Sequence, residues 1–142
     1  MVRNDTFRAL DRQVCLRLLA KVPIGRVVYT QQALPAILPV NFSMDSDASV
    51  LFHTVPGSDL IRAVDGAVVA FEADEFDVAT RSGWSVVVTG RATVVTDPAA
   101  HARLSRADPL PWTPLGGGAG VFVRVESEVV TGRGVGGAHG LW

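Results

Sequence analysis

One cysteine in 142 residues leaves Cys15 without an internal disulfide partner, so the fold must stand on burial alone, in a reducing compartment. Cys15 sits among leucines and reads as a small core hydrophobe. Charge is scarce too: 19% of residues are charged and the formal net charge is -1. That gives no electrostatic grip on nucleic acid or anionic lipid. No apolar run approaches the roughly 20 residues that a membrane span needs. The first residues carry Arg3, Asp5, Arg8, Asp11 and Arg12 in place of an apolar signal core, and we expect a cytoplasmic protein. Nucleophile elbows and P-loops are missing, and His53, His101 and His139 stand far apart with no second cysteine to help them hold a metal.

What is present is apolar residues in short patterned stretches, 48% of the chain, enough for a single domain over residues 1–142. Phe7, Leu10, Val14, Leu18 and Leu19 recur at helical spacing within residues 5–21, with Asp5 or Thr6 as the cap and Pro23 as the stop. Strands are expected at residues 25–30, 34–42, 49–54, 67–72, 84–96 and 121–129, and short helices at 58–64 and 97–105. Gly90 suggests a bend in the longest strand. The acids of Phe71–Asp77 read as a solvated turn, and residues 134–142 as a mobile tail. Long helices between strands are lacking, which disfavours a doubly wound parallel sheet. The pattern predicts a mainly β fold with short α segments: a six-stranded antiparallel barrel, closed to hide its edges, with peripheral helices.

Three stretches could carry chemistry. Pro39-Val40-Asn41 ends a strand; its backbone and carboxamide could read the edge of a flat heterocycle, or it is an ordinary strand end. His53-Thr54 followed by Gly57-Ser58 leads from a strand into a helix. Hydroxyls and helix N–H groups suit a phosphate there, and Ser58 equally suits a plain N-cap. Trp84, beside Ser85, is either a core residue or a pocket wall.

In order, Pro23-Ile24-Gly25-Arg26, Leu38 to Phe42, Phe52 to Ser58, Val69 to Asp74, Gly83 to Ala92, Leu110-Pro111-Trp112 and Thr131-Gly132-Arg133 resemble the pyridoxamine 5'-phosphate oxidase-like flavin-binding split-barrel proteins. The resemblance is nearest to the nitroimidazole-resistance-type branch. It implies a homodimer with FMN in clefts at the subunit interface, and a flavin-dependent oxidoreductase acting on a small molecule. It places Pro39, Val40 and Asn41 along the isoalloxazine ring, and His53, Thr54 and Ser58 toward the ribityl phosphate. Trp84 and Ser85 would lie beside the cleft, and Trp112 and Arg133 would close it from the partner chain. The family pattern carries a lysine after Gly-Ser where this chain has Asp59, and Arg62 either neutralises that acid or reaches the phosphate itself. Two like charges about 4 Å apart repel by about 1 kcal/mol even in water. Weakened FMN binding or a changed ligand is therefore expected. The deazaflavin F420 and a non-catalytic small-molecule or haem-binding dimer are the alternatives. Oxidation of pyridoxamine phosphate itself is not expected, because a second phosphate would need more cations than the chain can offer.

Overall fold

The computed structural model describes residues 7–107 and 120–136. In chain order they form β1 (Arg8–Leu10), α1 (Arg12–Leu19), β2 (Ile24–Gln31), β3 (Leu34–Met44), β4 (Val50–Thr54) and α2 (Asp59–Val64). There follow β5 (Val68–Asp77), β6 (Ser82–Val94), α3 (Pro98–Ala107), β7 (Val121–Val125) and β8 (Val129–Val135).

All strand pairs are antiparallel, in the order β1-β8-β6-β5-β2-β3-β4-β7. β7 also pairs with β6, from Ala92↔Val125 to Val94↔Val123, which closes β6-β5-β2-β3-β4-β7 into a six-stranded barrel. This is the expected split barrel. β8 and β1 lie outside the ring, on the first half of β6. β6 therefore exchanges neighbours between Thr89, opposite Val129 on β8, and Ala92, opposite Val125 on β7. Gly90 occupies the exchange point, and a Cβ there would collide with the Glu126 carbonyl oxygen. The bend anticipated from sequence is thus a place where only a hydrogen fits.

Strand alternation fills the barrel. Val27, Val40, Phe42, Phe52, Phe71, Ala73, Val86, Val88, Val123 and Val125 are buried in one cluster. The Phe42 and Phe71 rings meet edge-to-face, 4.7 Å between centroids. Burial of a side chain such as Phe71 contributes about 1.5–3 kcal/mol. α1 adds Cys15, Leu18 and Leu19 to the same core. The Cys15 Sγ lies where a Cβ on Gly132 would otherwise be, and burial, with Asp11 nearby, pushes the thiol pKa up. Cys15 is a core residue. On the far side α3 covers a small second cluster of Leu51, Leu104 and Phe122.

Five expectations are corrected. The first helix is capped by Asp11, whose side chain accepts from the Val14 N–H at 2.9 Å, and not by Asp5 or Thr6. The preceding residues Arg8–Leu10 pair with Gly132–Gly134 of β8 instead of turning helical. The last expected strand is two, because the Glu128 N–H folds back onto the Glu126 carbonyl at 2.9 Å and breaks the ladder. Strand β8 then runs to Val135, into what was read as tail. Finally, Glu72 to Asp77 are strand, paired with β6 as far as Asp77↔Ser82.

Candidate functional site

β3 and β4 pair from Phe42↔Phe52 onward, so Asn41 and His53 flank the last registered pair. His53 stands opposite Phe122 on β7, with ring centroids 3.8 Å apart, and Thr54 stands opposite Val121. The chain then passes Gly57, at φ +71, into α2. The Ser58 hydroxyl accepts from the Ile61 N–H at 3.3 Å, so Ser58 is the N-cap of α2. Arg62 donates to the Gly57 carbonyl at 2.8 Å and is ion-paired with Asp59 one turn back. Of the two roles considered for Arg62, the structure contains the pairing with Asp59. Asn41, His53 and Thr54 thus adjoin where β3 meets β4, whereas Arg62 on α2 lies beside Thr30–Gln32, at the opposite end of β2 from Ile24, the partner of Asn41.

Pro39, two residues from Asn41 on β3, lies with Ser85 on the outer face of the sheet. Across it run Pro39↔Arg26 on β2 and Arg26↔Glu72 on β5, then Asp74↔Ser85 on β6 and Ser85↔Arg133 on β8. Val40 and Trp84 have the opposite parity and point inward; Trp84 is buried in the core cluster. Trp112 lies outside the described residues.

Sequence reasoning missed the outer-face cluster built on Arg26. Its Nη1 donates to Glu72 Oε1 at 3.1 Å and to Asp74 Oδ2 at 3.4 Å. Burial, with Asp74 alongside, pushes the Glu72 pKa up to about 7; Arg26 offsets part of that. The available signal was the period of two: Phe71 and Ala73 inward, Glu72 and Asp74 outward. Acid density hid it.

The arrangement offers Thr54 and Arg62 as donors at a strand–helix junction, a carboxamide on Asn41 where β3 meets β4, and the exposed, partly apolar face of β3 leading away. That donor set fits a planar ring with an anionic tail. It also carries a carboxylate, Asp59, beside its cation. Among the described residues no group of three or more His, Cys, Asp or Glu side chains could hold a metal ion.

A closed six-stranded antiparallel ring with two further strands on its longest member defines the split-barrel class. Residues 11–134 match the family described as pyridoxamine 5'-phosphate oxidase, and the chain belongs to that family. It is 46% identical over 128 residues to the uncharacterized protein Rv0080 of Mycobacterium tuberculosis, covering 87% of this chain and 82% of the relative. The FAD binding protein from Mycobacterium smegmatis is 39% identical, with a TM-score of 0.78 over 90% of this chain and 98% of that one. A Bacteroides thetaiotaomicron structure assigned to 5-nitroimidazole antibiotic resistance has a TM-score of 0.70 over 91% and 90% of the two chains. At 16% identity that last likeness is one of fold.

Proposed function

We propose that the protein is a homodimeric flavin-dependent oxidoreductase of the cytoplasm, acting on a small organic substrate. The β4–α2 junction, where Thr54 leads through Gly57 to Ser58 and Arg62, carries this reading. Bound flavin would supply hydride or electron transfer. The chain's own part is to bind and orient. Arg62 and the Thr54 hydroxyl would hold the anionic tail, and the edge of β3 from Pro39 to Asn41 would support the ring.

FMN was the flavin expected from the resemblance. One observation favours FAD in its place: the 39% identical relative is an FAD binding protein. The homodimer is supported by exposed apolar side chains on the sheet, Ile37, Val68, Phe76 and Val129, each at least half exposed in one protomer. A second copy would cover them, and the partner would complete the cleft.

The test is the absorbance spectrum and ligand mass of the purified protein, with its molar mass in solution. A flavin spectrum on a particle of twice 15.1 kDa is expected. Mass spectrometry separates FAD, FMN and F420. A colourless monomer that takes up no flavin would sink the reading.

A further inference from the structure

Along β5, alternate residues share the outer face of the sheet, so Val68, Glu72, Asp74 and Phe76 point the same way. Strand register carries that face sideways. Glu72 stands opposite Arg26 on β2 and Val87 on β6, and Asp74 opposite Ser85 on β6. Arg26 stands opposite Pro39 on β3, and Val28 opposite Ile37. Ser85 stands opposite Arg133 on β8, and Thr89 opposite Val129. The half-exposed apolar side chains Ile37, Val68, Phe76 and Val129 therefore surround a charged centre on one face.

That centre is short of positive charge. Arg26 donates to both Glu72 and Asp74, one guanidinium between two carboxylates. The side chains of Arg26, Glu72 and Asp74 are only 39%, 25% and 30% exposed. Among the described residues, β3 brings Pro39 to this face and β6 brings Val87 and Ser85, all uncharged. β8 brings Arg133, two strands from Asp74, with its guanidinium over the Phe7 ring. Burial, with Asp74 alongside, already pushes the Glu72 pKa up to about 7.

The charges favour a second copy of the chain as the occupant. Arg26 and Asp74 lie on neighbouring strands, so a two-fold axis between them sets Arg26 of each copy over Asp74 of the other. The apolar side chains meet around that exchange. Each Glu72 is then the surplus charge, and covering the face removes the water that remains to it. A buried carboxylate without a cation is costly. A proton on Glu72 balances the centre, because the carboxyl becomes a donor and each guanidinium is left with one acid.

We propose that two copies of the chain meet on this face and that each Glu72 takes up a proton as they do, so that the dimer holds in mildly acidic solution and loosens in alkaline solution. The proposal rests on the homodimer reading above and adds its condition. The separated chain releases the Glu72 proton near pH 7, whereas the covered carboxyl keeps it to higher pH. Association is therefore indifferent to pH below about 6 and weakens above about 7, by up to about 100-fold per pH unit for two protons.

The test is sedimentation equilibrium of the full chain over a dilution series, from about pH 6 to about pH 8.5. The dimer dissociation constant is expected to rise at least about 10-fold across that range. Glu72→Gln, neutral at every pH, should hold the constant within about 2-fold of its acidic value. Asp74→Asn leaves one acid for one guanidinium and should remove the slope as well. A wild-type dimer indifferent to pH, a slope that survives either variant, or a Glu72→Gln dimer no tighter than wild type at the alkaline end overturns the proton link alone. A chain that is monomeric at every pH overturns it together with the homodimer reading.

Discussion

Arg124 donates to the Asp45 carboxylate at 2.8 Å, tying β7 to the turn that joins β3 to β4. Arg103 of α3 adds a second guanidinium at 3.2 Å, and the Asp45 side chain is only 8% exposed. Hydrogen bonding from Arg103, with Arg124 beside it, holds this carboxyl well below the usual carboxylate range despite its burial. An acid with a depressed folded pKa stabilises the fold above its unfolded value, near 3.9, and loses that contribution as the pH falls further. Asp45→Asn should therefore flatten the acid limb of a stability–pH profile below about pH 4. Asp45→Ala leaves Arg103 without this partner and Arg124 with Asp47 alone, and should cost about 2 kcal/mol, measured by urea unfolding at pH 7.

Glu72 works in the opposite direction. Its pKa is raised to about 7, so the folded chain binds a proton that the unfolded chain, near pKa 4.3, has already released. Stability should fall as the pH rises between about 4.3 and 7, and stay reduced above that. Glu72→Gln removes the titration. The expected result is loss of that downward slope and a gain of about 1 kcal/mol at pH 8, after discounting for partial exposure. A variant that keeps the slope would mean that another group titrates there.

Asp59→Lys reverses a charge beside the proposed phosphate position. Removing a repulsion and adding an attraction, each about 1 kcal/mol at 4 Å in water, should tighten FMN about 30-fold. The affinity comes from a flavin fluorescence titration. No gain for FMN counts against the electrostatic account of this position.

Gly90 and Gly66 predict different penalties for the same mutation. At Gly90 the obstacle is a backbone oxygen, that of Glu126, which cannot swing aside. Gly90→Ala should cost about 3 kcal/mol and loosen the β6–β7 closure. At Gly66 nothing lies within 4 Å and only the φ of +80° resists. Gly66→Ala should cost about 1 kcal/mol. Paired denaturation curves decide it.

The barrel was legible because its strands alternate and its helices are short. Ser58 as a cap and Gly90 as a special point followed from local rules that tertiary structure left intact. The edge strands were not legible. Arg8–Leu10 carries no alternating apolar pattern and pairs because β8 is present to receive it. Gly132 in β8 is a glycine because Cys15 of α1 packs against it, a reason invisible from β8 itself. Acids in Glu72–Asp77 look solvated in sequence, yet Arg26 arrives from a strand about 46 residues away to meet them. At the strand–helix junction the local geometry followed the sequence, with Ser58 capping α2. Trp84 faces inward, since its parity along β6 matches Val86 and Val88.

The neighbour exchange along β6 sets an order of breathing. The ring strands are each held on both sides, whereas β1 is paired on one side only and β8 rests on β6 between it and β1. Deuterium should therefore enter residues 8–10 and 129–135 while the amides of Val86 and Val88 stay protected, so that the pair of outer strands peels as a flap before the ring opens.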